Sequence, residues 1–339
     1  MTMGESSAEL FCAKYDFDDR YIACGYGDGM TRIFNLETGK LSFTLGGSLA
    51  LSGAIDEMPV TCLRWRPQSA QLKTQNVLVT CQADGSLRHW HATSGKCLHA
   101  RVDDPENHLF ALDFNNDGTL LAVVGRDCYV RVYDETTKSL ALKMKERGEL
   151  PGHSNRVFAL KFNPADQNML VSGGWDNTLQ IYDLRVKGPV ESILGPHVCG
   201  CDAIDFRADG HSLLVGSYRQ DDALQLYDMR KFECVRSFAW DGVSAGEMLF
   251  SEAGEEAKLQ AFKPKSAPML YAAQFNRKQD LIVAGGAGEN EVRVFDFESG
   301  GLVAMVSGLE RAVLTIDTAK SGNGFAFGSA DSLLRIMEI

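Results

Sequence analysis

The chain has 339 residues, with 34 Lys and Arg against 45 Asp and Glu, a net charge of −11 and 45% hydrophobic residues. A disordered chain would be poorer in apolar residues, and no apolar run, 120–124 being among the longest, reaches the roughly 18–20 residues of a membrane helix. The acidic balance weighs against non-specific nucleic-acid binding, which needs a basic face opposite the phosphates, and leaves other proteins as the expected partners.

The first residues, MTMGESSAEL, lack the basic flank and apolar core of a signal peptide. The nine cysteines are Cys12, Cys24, Cys62, Cys81, Cys97, Cys128, Cys199, Cys201 and Cys234. Most stand singly inside apolar runs such as IACG and LVTCQ. Odd in number and scattered, they read as reduced, buried small hydrophobes. A cytoplasmic protein is the expectation, possible cytoskeletal or ciliary sites and the nucleus being left open.

Along the chain one phrase recurs: a small-residue turn, an Asp or Asn, an alternating strand, then an aromatic and a polar residue. In order it reads GYGDGMTRIFN, CQADGSLRHWH, VGRDCYVRVYD, GGWDNTLQIYD, GSYRQDDALQLYD and GGAGENEVRVFD, with a degraded copy, GSADSLLRIME, at the end. The residues closing these strands are Phe34, Trp90, Tyr133, Tyr182, Tyr227, Phe295 and Met337, spaced by 56, 43, 49, 45, 68 and 42. The short spacings match a four-stranded repeat of about 40–45 residues. The two long ones hold insertions, 46–59 and 240–267.

Period-two alternation, as at Val130 and Val132 or Leu179 and Ile181, makes these segments strands. A Gly-exited strand precedes each (YIACG, LLAVVG, MLVSGG), and a further alternating strand lies upstream (ALDFNNDG, ALKFNPADQ, AIDFRADG). A fourth follows the aromatic, as in ETGKLSFTL and TSGKCLHA. Asp-Gly and Ser-Gly pairs supply the turns between them.

The stretch GH…FNP…LVSGGWDNTLQIYD over 152–183 resembles a WD repeat, and the seven copies together resemble a seven-bladed WD-repeat propeller. That resemblance implies an all-β fold of four-stranded antiparallel blades in one domain, 1–339. The blades fall at about 9–46, 60–100, 109–144, 152–193, 199–238, 268–308 and 311–339. In WD repeats a His, a Ser or Thr, an Asp and a Trp form a hydrogen-bonded chain. Here the fourth copy carries His153, Ser172 and Asp176, with Tyr182 at the Trp position, which changes the donor geometry. Only Trp90 keeps the indole. The other blades are expected to rest on aliphatic packing, with turn acids bonded to local backbone. Propellers of this kind close when one terminus lends a strand to the last blade. Residues 1–7 are the available material, and they either pair weakly with that blade or leave its edge open.

No catalytic constellation emerges, so a non-enzymatic scaffold or adaptor is the expectation, with no cofactor and no metal. GGAGENE lacks the third glycine and helix of a dinucleotide site. His197, Cys199 and Cys201 offer zinc three ligands of the four that a closed site needs, and a strand would place both sulfurs on one buried face. Residues preceding the turn acids point toward the channel mouth in such propellers. These are Arg126, Trp175 and, more loosely aligned, Tyr218 with Arg219, while Arg156 should lie near Trp175. Exposed Trp, Tyr and Arg dominate interface energetics, so these five are the candidate partner-binding face.

Two adjacent copies end in Tyr-Asp-x-Arg, carrying Asp183 with Arg185 and Asp228 with Arg230. This is similar to the paired motif of WD-repeat substrate receptors of cullin-RING ubiquitin ligases, in which the bottom face meets the ligase adaptor. The acidic and apolar 240–267 insertion suggests a clip for a partner or for a cytoskeletal or axonemal assembly.

Overall fold

The structure, a computed structural model, describes residues 1–4, 7–47, 58–68, 74–240, 248–251, 268–322 and 324–338. The described chain forms strands and no helix. Seven sheets stand as the blades of a seven-bladed propeller, each built on four antiparallel strands; six of these sets run in simple chain order from inside outward, and the seventh takes its outer strand from the start of the chain. The innermost strands are Leu10–Tyr15, Val60–Trp65, Leu109–Phe114, Val157–Phe162, Ile204–Phe206, Met269–Phe275 and Val313–Thr318. We call top the end where these strands begin and bottom the end where they finish.

Each second strand is apolar on both faces because a neighbouring blade covers each side. Leu121, Ala122, Val123 and Val124 are buried together in this way. Truncating such a leucine to alanine costs on the order of 2–5 kcal/mol.

Thr2–Met3 pairs antiparallel with Leu334–Glu338 as the outer strand of the last blade, setting Met3 opposite Leu334. Met1 and Ile336 add backbone bonds of 2.9 and 2.8 Å in the two directions, and Met3 is buried. The chain therefore closes its own ring. Two strand residues suffice because the apolar Met3 side chain anchors them.

The insertion at 46–59 lies largely outside the described residues. The 240–267 segment begins later than its sequence suggests. Trp240 is buried, its indole N–H donating to Glu291 at 2.7 Å with the Arg293 guanidinium over its ring. Further on, Met248–Ser251 adds a parallel fifth strand outside Leu302–Ser307 of the sixth blade. The remainder of the expected clip lies outside the described residues.

A polar girdle lines the lower channel. Near the end of each inner strand one residue points inward: Lys14, Arg64, Asp113, Lys161, Asp205, Gln274 and Asp317. The three acids each accept an amide from the next blade: Tyr15 to Asp317 at 2.8 Å, Phe162 to Asp113 at 2.9 Å and Phe275 to Asp205 at 3.0 Å. The girdle thus joins neighbouring blades as well as lining the axis.

Candidate functional site

The fourth blade carries its hydrogen-bonded chain only in part. His153 bonds Asp176 through Nδ1 at 2.9 Å and Ser172 through Nε2 at 2.7 Å. There the chain stops, since the buried Tyr182 hydroxyl has no hydrogen-bond partner among the described residues. In the second blade Trp90 donates to Thr80 at 3.0 Å. Elsewhere a device not foreseen from the sequence replaces the histidine. The turn acids Asp28, Asp84, Asp127 and Asp331 each pair with an arginine four residues on: Arg32, Arg88, Arg131 and Arg335. The fourth blade has Gln180 at that place, so its acid is left for His153. The signal, Asp-x-x-x-Arg, is plain in the sequence.

The top face is built by a repeated distortion. In six blades the inner strand slips register after its first residue, or in the sixth blade its second, which leaves Phe11, Thr61, Phe110, Phe158, Tyr271 or Leu314 at the bulge. A bulge re-aims the extra side chain out of the ladder. Beside it, a backbone bond from the turn after the second strand repeats around the ring at 2.8–3.0 Å. It joins Gly27 to Glu9, Ala83 to Pro59, Arg126 to His108, Trp175 to Arg156, Tyr218 to His197 and Ala330 to Ala312.

Equivalent positions are therefore filled very differently. In the first, second and seventh blades they hold mostly small or short side chains. From the third to the sixth they hold rings in continuous contact. His108 stacks on Phe110, Phe110 on Phe158 at 4.4 Å, and Phe158 on Trp175 at 4.9 Å. The run continues through His197 and Tyr218 to Tyr271. Trp175 is 38% exposed. The Arg156 guanidinium lies 5.2 Å from the Trp175 ring centre, and the indole N–H reaches Cys199 Sγ at 3.1 Å.

Of the five top-face residues expected from the sequence, Arg156, Trp175 and Tyr218 belong to this arc or sit on it, and Arg126 is bonded to its first member. Arg219 is occupied otherwise, its guanidinium donating to the Gly195 and Asp222 carbonyls and to Gln225. Phe110, Phe158 and Tyr271 were missed because a bulge leaves no local mark in an alternating pattern, and His108, just ahead of the third blade's inner strand, was missed with them.

The segment from His197 to Asp202 is not a strand, contrary to the expectation of two cysteines on one strand face. It turns into the channel. A Cβ on Gly200 would stand 2.1 Å from the Tyr271 carbonyl oxygen, so only glycine passes there. His197 bonds Asn177, Cys199 meets Trp175, and Cys201 is buried inside. The three potential zinc ligands diverge, and among the described residues no group of three His, Cys, Asp or Glu could hold a metal ion.

Asp202 ends the segment fully buried, within 2.9 Å of Lys14, 3.0 Å of Arg64 and 2.6 Å of Thr315 Oγ1. Burial alone would lower the Lys14 ammonium, but Asp202 and Asp317 outweigh it and hold the group above its ordinary value. The girdle's charges are spent on one another.

On the bottom face the two Tyr-Asp-x-Arg copies adopt one geometry. Arg185 grips Asp183 through Nε at 2.9 Å and Nη2 at 2.7 Å, and Arg230 grips Asp228 at 3.0 and 2.7 Å. Both arginine side chains are well exposed, at 58% and 65%. The arginine bonds hold the Asp183 and Asp228 carboxyls below their ordinary values.

Comparison with known proteins agrees with this architecture. The family model for the WD domain, G-beta repeat, matches residues 42–91, 95–134 and 144–183. The first match begins in the outer strand of one blade and ends in the third strand of the next. The chain is 25% identical to meiotic fizzy-related protein 1 of Schizosaccharomyces pombe, over 78% of this chain and 65% of that protein. It is 30% identical to the LEC14B homolog of Prunus armeniaca, over 70% and 51%, and 27% identical to THO complex subunit 3 of Arabidopsis thaliana, over 82% and 89%. It thus spans about half to two thirds of the first two relatives and most of the third. The repeated blades, the fourth blade's His153–Asp176 pair and these matches lead to one conclusion: the chain belongs to the WD-repeat family, as a seven-bladed β-propeller.

Proposed function

We propose that the protein is a non-enzymatic docking platform whose top face, over the third to sixth blades, receives other proteins of a multi-protein complex. The observation that carries this reading is the contrast among equivalent positions. The equivalent positions hold mostly small or short side chains on one side of the ring, Phe11 and Leu314 apart, and an unbroken aromatic run on the other. Aromatic and arginine side chains on a rigid frame are what interface hot spots are made of. A relative named as a THO complex subunit is in keeping with life in an assembly. Nine free cysteines suit a reducing compartment, cytosol or nucleus.

The test is capture from native extract with wild-type protein and with Trp175→Ala, read by mass spectrometry. Proteins retained by the first and lost by the second, with the variant still folded, support the platform. Identical sets count against it.

A second reading is favoured by Arg185 and Arg230. Two exposed guanidiniums, clamped alike on adjacent blades, would suit the adaptor of a cullin-RING ligase, as the motif's resemblance implies. Arg185→Ala with Arg230→Ala should then abolish capture of the adaptor, while an unchanged adaptor signal would remove this reading. The cytoskeletal or axonemal alternative rests on the 240–267 insertion alone.

A further inference from the structure

The charges around the aromatic arc are uneven. At the top of the third blade the outer strand Leu140–Met144 ends beside Tyr129, whose ring lies under Lys143 Nζ at 4.2 Å and Lys145 Nζ at 5.4 Å. Arg126 is exposed in the adjoining turn, and Arg156 follows over Trp175. Among the described residues none of these four cations has a carboxylate partner, in a chain whose net charge is −11. Glu146 follows Lys145 in the chain but makes no ion pair with it among the described residues, Asp127 beside Arg126 is already taken by Arg131, and Asp176 by His153. Four uncompensated cations thus share the top of two adjacent blades with Phe110, Phe158 and Trp175.

Resting on the platform reading, we infer that this part of the top face binds an acidic segment of a partner protein, its Asp and Glu carboxylates meeting Arg126, Lys143, Lys145 and Arg156 while an apolar side chain lies on Phe158 and Trp175. Planar guanidiniums offer a carboxylate two parallel donors. A single-stranded nucleic acid fits poorly, because a stacking platform must present free ring faces. Here the rings face one another at 4.4 and 4.9 Å, too close to admit a base between them.

A random nonapeptide display library, panned on the full chain, tests this. The expected enrichment is for peptides with two or more Asp or Glu flanking an apolar residue, lost on the Arg126→Gln, Lys143→Gln, Lys145→Gln, Arg156→Gln variant. The best peptide, measured by fluorescence anisotropy, should weaken at least roughly tenfold when its acids become amides, and weaken as salt rises. Enrichment of neutral or basic peptides, or none, overturns the inference. So does tighter binding of the phosphoserine counterpart or of an oligouridylate, or an unchanged affinity in the glutamine variant. The native-extract capture keeps the two readings apart. If Trp175→Ala loses partners that the glutamine variant keeps, the acidic segment is wrong and the platform stands. If both variants keep them, both readings fall.

Discussion

Asp202 of the fifth blade and Arg64 of the second stand 3.0 Å apart, although two whole blades lie between them on the shorter way around the ring. The contact crosses the channel and is shared with Lys14 and Thr315, so one buried carboxylate holds four blades to a common centre. Removing a single member of such a cluster strands the others. Asp202→Ala is expected to destabilise the chain by about 3–5 kcal/mol, because Lys14 and Arg64 keep their desolvation cost and lose their closest counter-charge, Asp317 and Asp113 lying farther off at 3.5 and 3.6 Å. Urea unfolding measures it, and a loss under about 1 kcal/mol would show that the girdle is solvated instead.

The fourth blade offers a pH dependence with a definite sign. Burial raises the Asp176 carboxyl, but the bonds from His153, Ser154 and Thr178 outweigh it and hold it below its ordinary value. A carboxyl depressed in the fold contributes stability fully above its unfolded pKa, about 4, and loses it as the pH falls through the folded value. Asp176→Asn is therefore expected to flatten the stability profile below about pH 4 and to be less stable than wild type at neutral pH. Parallel profiles for the two proteins would contradict this.

Tyr182 tests the incomplete chain. Its hydroxyl is buried and unbonded, so Tyr182→Phe should leave the melting temperature unchanged or raise it, with a gain of up to about 1–2 kcal/mol. A clear loss would show that the hydroxyl has a partner after all. Tyr182→Trp, copying the bond that Trp90 makes to Thr80, asks whether Ser172 can complete the chain.

Ring closure depends on Met3, buried against the last blade. Met3→Asp would bury a charge there and release Thr2–Met3. Amide exchange in Leu334–Glu338 should accelerate while the first strand of the fourth blade, Val157–Phe162, keeps its protection. Uniform exchange across the ring, or no change, would show that closure lies elsewhere.

The fold was legible because each copy repeats the same turn chemistry, from Asp28 to Asp331, before an alternating strand. The site was legible only where side chains stand in turns. Trp175 and Arg156 flank a Gly-rich turn and could be placed, whereas Phe110, Phe158 and Tyr271 sit at bulges. A one-residue slip there turns a side chain to a face that strict alternation does not assign. Cys199 and Cys201 misled in the opposite way, since a strand was read where Gly200 lets the chain dive into the channel. The polar girdle was in view within ALDF, ALKF and AIDF, but one polar residue per strand resembles the solvent side of an ordinary sheet. Only the ring brings the seven together.

The central claim is that partners dock on one side of the top face. It is tested most directly by titrating a captured partner against Trp175→Ala and Glu9→Gln, with Glu9 holding in the first blade the place that Arg156 holds in the fourth. The expected result is a roughly tenfold or greater loss of affinity for Trp175→Ala, an unchanged melting temperature, and wild-type affinity for Glu9→Gln. Equal losses at both sites, or none at Trp175, would contradict the claim.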